Sequence, residues 1–210
     1  MKYELLPAEV VQGRTLHRIR ALKGFGTVKA GDVGGWVERE SNLSQEGLCW
    51  VSGDAWVSGD ARVSGDARVF GSARVYGNAR VYGNARVCGD ARVYGNARVY
   101  GDAQVFRDAR VSDNARIFGD AQVFRDARVY GNAQVSDNAR IFGDARVYDN
   151  AWVFVSPPPC PDPRPDPPTT LADVQKSLLE QVKLARTLGL CISRIDVVGK
   201  DNLEIHGTVI

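Results

Sequence analysis

The chain has 210 residues, with 27 Lys+Arg against 25 Asp+Glu, two histidines and a net charge of +2. Two histidines cannot build a three-histidine metal site, and near-neutrality is neither the footprint of a dedicated polyanion binder nor the acidity of a DNA mimic. At 44% hydrophobic and 25% charged, the composition suits one or two soluble domains.

No apolar run is long enough to span a membrane, and MKYELLPAEVV lacks the apolar core of a signal peptide. The four cysteines, Cys49, Cys88, Cys160 and Cys191, are scattered and form no CxxC. The sequence therefore predicts a cytoplasmic protein with reduced thiols.

Residues 1–50 are expected to cap the repeat that follows. RTLHRIRAL (14–22) alternates as a strand, and KGFG and AGDVGG read as turns. Cys49 falls in phase with the small inward residues of the repeat, and Trp50 with its outward arginines.

From Val51 to Trp152 the chain is 17 consecutive hexads, VSGDAW, VSGDAR, VSGDAR, VFGSAR, VYGNAR and so on to VYDNAW. This stretch holds 14 Arg and 12 Asp, but no Lys, Glu or His. Every first position is Val or Ile and every fifth is Ala. A period of six gives no continuous helical stripe. Within each hexad, Ala-Arg-Val-x alternates inward and outward as a short strand. Gly followed by Asp or Asn marks a corner, because these residues tolerate positive φ best. One such unit cannot bury its apolar side alone, but stacked coils can. The block VFRDAR-VSDNAR-IFGDAQ recurs with one extra hexad, VYGNAQ, and points to three hexads per coil. The expected fold is mainly β, a triangular parallel β-helix of about six coils at ~4.8 Å per coil.

Trp152 and Phe154 are expected to close the last coil. Residues 156–168, SPPPCPDPRPDPP, hold eight of the nine prolines and predict a semi-rigid polyproline-II linker. Residues 169–210 predict an α-β-β association unit. Its helix presents Leu171, Val174, Leu178 and Val182 at 3–4 spacing and stops at Gly189. Two strands then flank a turn at 199–202.

The hexad resembles the repeat of left-handed parallel β-helices, best known from acyltransferases and γ-class carbonic anhydrases. The left hand is what that resemblance implies. With the preceding VKAGDVGGWVERESNLSQEGLCWV (28–51), the chain resembles hexapeptide-repeat proteins of enterobacteria and their phages, labelled acetyltransferase-like or polymer-forming. The resemblance covers residues 1–154. Such acyltransferases use a histidine base and an extruded loop over the acyl donor. Here the histidines are His17 and His206, outside the hexads, and no insertion interrupts the repeat. No catalytic residue, metal ligand or cofactor is assigned. A non-enzymatic, self-associating scaffold is expected, with an acyltransferase-like enzyme or a polymer-forming protein as alternatives.

At three hexads per coil, residues 18 apart stack. One face carries Arg74, Arg92, Arg110, Arg128 and Arg146 beside Tyr76, Tyr94, Ser112, Tyr130 and Tyr148. A second carries Arg62, Arg80, Arg98, Arg116 and Gln134 with Tyr82, Tyr100 and Phe118. The third carries Arg68, Arg86, Gln104, Gln122 and Arg140 with Phe70, Cys88, Phe106, Phe124 and Phe142. Phe with reduced charge is the composition of an interface core, so the third face is expected to pack against another subunit, as a dimer or trimer, or against a host protein. The alternative is an aromatic ladder that stabilises its own sheet. The first face's Arg and Tyr columns offer phosphate contacts and stacking platforms to a polyanion. The corner aspartates argue against nucleic acid and for a salt-bridged, solvated surface.

Overall fold

A computed structural model describes residues 1–155 in full, and beyond them the backbone of two strands. β1 (Tyr3–Val11), β2 (Arg14–Ala21) and β3 (Val33–Val37) form an antiparallel meander. Eighteen short strands follow, from β4 (Trp50–Val51) to β21 (Trp152–Val153), at six-residue intervals. Each pairs in parallel with the strand 18 residues away, as in Arg92↔Arg110 and Val93↔Val111. Three parallel sheets result, one per prism face.

The prism begins earlier than the hexads do. Trp36 in β3 pairs with Trp56, Leu43 bridges to Val63, and Trp50 pairs with Arg68. These three positions make one irregular coil ahead of the regular ones, so the first face has seven parallel strands, from β3 to Arg146–Val147. β1 and β2 then extend that face's sheet beyond the first coil.

Val and Ala fill the interior as their alternation demands: Val51 to Val135 and Ala55 to Ala133 are at most 1% exposed. The backbone closes the wall of each coil. The Arg92 N–H donates to Ala109 O at 2.9 Å and the Tyr94 N–H to Val111 O at 3.0 Å. Side-chain alternation and a continuous parallel ladder thus satisfy the apolar and polar groups together.

Three local expectations are corrected. Gly34 and Gly35 do not turn the chain; they lie inside β3 and are buried. A Cβ on Gly35 would stand 2.6 Å from Ala55 O, and one on Gly34 2.6 Å from Ile19 Cγ1, so these glycines permit close approach of the meander to the first coil. At the corners, positive φ belongs to the third hexad position alone and not to the Asp or Asn that follows it. Trp152 does not close the last coil: it is 60% exposed, and the inward-facing Ala145 and Ala151 are exposed beside it.

β22 (Leu190–Val197) and β23 (Leu203–Val209) pair antiparallel, and the turn expected between them lies outside the described residues. The expected proline-rich linker and the expected helix bearing Leu171, Val174, Leu178 and Val182 lie outside the described residues.

Candidate functional site

Each prism face carries the same four columns: an outward residue at hexad position six, an aromatic or small residue at position two, and a polar corner on either side. The three faces differ in what fills those columns.

The third face carries the phenylalanines. Phe106, Phe124 and Phe142 are half-buried and stacked, with ring centroids at 4.8 and 5.4 Å. Cys88 separates them from Phe70, which is 38% exposed. Gln104 pairs with Gln122 along one side of the strip, while the exposed Arg107 and Arg125 directly follow Phe106 and Phe124 at the corner on its other side. The rings support one another along the ladder while their outer edges line the surface.

On the first face, Tyr76 stacks between Trp56 at 5.6 Å and Tyr94 at 5.0 Å, and Tyr130 stacks on Tyr148 at 5.5 Å. Ser112 interrupts the ladder. The ring faces are turned largely toward one another, which leaves mostly edges and hydroxyls for a ligand. Burial raises the pKa of the Tyr76 hydroxyl. The arginines Arg74, Arg92, Arg110, Arg128 and Arg146 follow two residues after Ser72, Asp90, Asp108, Asp126 and Asp144. The column expected to hold a polyanion therefore runs beside a column of carboxylates.

The expected salt-bridged surface is not what the repeat arginines make. Among the described residues, the ion pairs are Arg18–Asp54, Arg20–Glu4, Arg39–Glu38 and Arg39–Asp60, all from cap arginines. Neither are Asp and Asn mixed at random over the corners. Between the first and second faces stand Asn78, Asn96, Asn114, Asn132 and Asn150, whose amides form a continuous ladder, each donating to the next at 3.1–3.2 Å. Between the third and first faces the same position is Asp90, Asp108, Asp126 and Asp144, all exposed. Reading the fourth hexad position at a stride of 18 residues finds this sorting; reading hexad by hexad hides it.

The second face carries a groove of about 330 Å³, lined by Arg62, Ser64, Arg80, Tyr82 and Arg98. Tyr82, Tyr100 and Phe118 stack beside it at 4.9 and 5.2 Å, nearly parallel. Its arginines are exposed, and its far corner carries Asp66, Asn84, Asp102 and Asp120.

The cap holds a buried polar cluster that sequence spacing did not reveal. Lys2 is 2% exposed. Its Nζ donates to Cys49 O at 3.0 Å, Glu46 O at 3.3 Å and Gly47 O at 3.4 Å, and meets Cys49 Sγ at 3.3 Å. The Tyr3 hydroxyl donates to Leu43 O at 2.6 Å and Glu40 O at 3.0 Å. These groups seal the backbone carbonyls of the irregular first coil, a structural use of buried polarity. His17 is half-buried, with Nδ1 2.8 Å from Leu6 O, and His206 lies in β23.

Among the described residues no helix is long and apolar enough to cross a membrane. The hexad region matches the family model described as YdcK Beta solenoid repeat at residues 61–77, 73–89, 91–107, 109–125, 133–146 and 139–154. A stretch of 36 residues is 50% identical to the "Uncharacterized acetyltransferase YdcK" of Escherichia coli (strain K12), covering 17% of this chain and 11% of that protein. In hexad pattern, in strand register and in these two matches, the chain resembles the hexapeptide-repeat β-helix proteins of enterobacteria.

Proposed function

We propose that this protein is a non-enzymatic, self-associating binding scaffold. It is encoded by a phage or prophage, works in the bacterial cytoplasm, and engages a host protein or other macromolecule through its prism faces and C-terminal unit. The observation that carries this reading is the half-buried Phe106–Phe124–Phe142 strip beside Gln104 and Gln122, an apolar surface on a face held rigid by parallel pairing. Apolar edges on a fixed backbone bind at low entropic cost. The test is capture of a partner from bacterial lysate with the intact chain and with Phe106→Ser plus Phe124→Ser. Capture that the double substitution abolishes, with unchanged melting, is the expected result. Equal capture by both overturns the role of the strip.

The 36-residue match to a protein named as an acetyltransferase favours one second reading, acyl transfer. Acetyl-CoA separates the two. A saturable rise in melting temperature with acetyl-CoA supports the enzyme and overturns the scaffold. No shift is the scaffold's expected outcome.

A further inference from the structure

We infer that the second face is a dimerisation surface, and that its partner is the same face of a second copy, related by a twofold axis parallel to the prism. This deepens the self-association part of the scaffold reading by naming its surface.

The argument starts from the order of columns across one coil. On the second face a coil presents Arg at hexad position six, an aromatic or small residue at position two, and Asp or Asn at position four of the next corner. A twofold axis along the prism reverses that order in the partner. Arginine then faces the partner's corner residue, the central residue faces its own copy, and the corner residue faces the partner's arginine. Three coils supply both charges, with Arg62 and Asp66, Arg98 and Asp102, and Arg116 and Asp120. Each of those coils would form two intermolecular ion pairs. The fourth sets Arg80 against the Asn84 amide oxygen. Down the middle, Tyr82, Tyr100 and Phe118 would meet their own copies, flanking the groove that Arg62, Arg80, Arg98, Ser64 and Tyr82 line.

The other faces fail the same operation. The first face has arginines, but position four of its next corner is asparagine from Asn78 to Asn150, and carboxylates enter that corner only at position three, as Asp113 and Asp149, in coils that are not adjacent. The third pairs Arg86 with Asp90 and Arg140 with Asp144, but the two coils between them set Gln104 and Gln122 against Asp108 and Asp126. The second face carries Arg and a position-four Asp in three coils, two of them adjacent, whereas the third has two such coils that are not adjacent. Pitch adds a further argument. Charges recur once per coil, ~4.8 Å apart, and a second copy has that pitch by construction, so every pair closes together. The second face's arginines are exposed and, among the described residues, take part in no ion pair. Among the described residues Asp102 accepts the Asn84 amide at 3.0 Å and Asp66 the Leu48 N–H at 3.0 Å, one bond each, so each carboxylate keeps lone pairs for a guanidinium. Isologous twofold contacts are the commonest way for a chain to self-associate.

Sedimentation velocity on the full chain tests this. The expected result is a dimer at low salt whose dissociation constant rises about tenfold or more as the Debye length shrinks to ~3 Å near 1 M salt. Arg98→Gln plus Arg116→Gln should weaken it by about tenfold or more. These variants should fold, because the repeat itself uses Gln at this position, at Gln104, Gln122 and Gln134. Exchanging the charges within one chain, R98D, D102R, R116D and D120R together, leaves composition and net charge unchanged and should restore the dimer. Circular dichroism confirms folding of each variant. A monomer at low salt, a dimer indifferent to the Gln variants, or a dimer lost only with Phe106→Ser plus Phe124→Ser would overturn the proposal. So would a monomer that binds nucleic acid through these arginines. Each of these outcomes leaves the acetyl-CoA test of the scaffold reading unaffected.

Discussion

Position three of the hexad is the residue on which each corner turns, and its backbone is left-handed in every coil. Glycine takes that conformation without strain. A Cβ on Gly95 would also stand 2.8 Å from Asp113 N in the next coil. Yet Arg107 and Arg125 hold the same conformation at φ 61°, and Asp113, Asp137 and Asp149 at 55–59°. Asp tolerates this region through local side-chain hydrogen bonds, as Ser112 Oγ with Asp113 Oδ2 at 3.3 Å illustrates. Arginine has no such compensation. An L-residue in this region costs about 1–2 kcal/mol, while a new glycine loosens the unfolded chain by about 0.4–1 kcal/mol. Arg107→Gly and Arg125→Gly should therefore each stabilise by up to about 1 kcal/mol, read as higher melting temperatures. Lower ones would assign these side chains work that offsets their strain. The sequence shows which residues replace glycine, but only the backbone shows that the Asp or Asn after them needs no such conformation.

The cap is the element where sequence periodicity stops helping. Its strand at Arg14–Ala21 was legible from alternation. Gly34 and Gly35 were not, because a glycine pair signals a turn and a close approach in the same letters. Nor was the buried cluster legible, because Lys2, Tyr3 and Cys49 come together only when β1 folds against residues 40–49. That cluster makes the cap sensitive to alkali. Burial raises the Tyr3 hydroxyl well above its ordinary 10.0, with Glu40 and Cys49 adding to it, and burial raises the Cys49 thiol above 9.0 against the opposing pull of Lys2. The unfolded chain releases both protons at the ordinary values while the native chain retains them. Stability is therefore full below about pH 9 and falls as pH rises toward the native values. Urea midpoints between about pH 8 and pH 11 should show this decline. Tyr3→Phe should shift the curve down by about 1 kcal/mol at neutral pH, for the donor lost to Leu43 O, and flatten its alkaline limb. An equally steep limb in Tyr3→Phe would place the titration elsewhere.

At the scale of the whole molecule the hexad fixes the wall and the 18-residue coil fixes the surface, and the two can be separated by deletion. Stacked coils contribute roughly additively through nearest neighbours, so the prism should tolerate losing units. Removing 87–92, VCGDAR, takes out one Arg and one Asp and leaves net charge unchanged. Val and Ala still fall inward and strands still pair, but every later residue moves back by one face. Arg98 and Arg116 leave the second face, and Gln104 and Gln122 arrive in their places. Removing 87–104, a full coil, keeps every later residue on its own face and brings Arg116 and Asp120 in below Arg80 and Asn84. Both deletions should keep the β circular dichroism and one cooperative melt. The 18-residue deletion leaves Arg62 with Asp66 and Arg116 with Asp120 on the second face, whereas the six-residue deletion carries Arg98 with Asp102 and Arg116 with Asp120 together onto the first face, in adjacent coils. Both should therefore retain salt-sensitive dimers with fewer rungs, and Arg62→Gln should weaken the dimer of the 18-residue deletion but not that of the six-residue deletion. Sedimentation of the four chains side by side checks this. An equal effect of Arg62→Gln in both deletions would mean that association does not depend on which columns share a face.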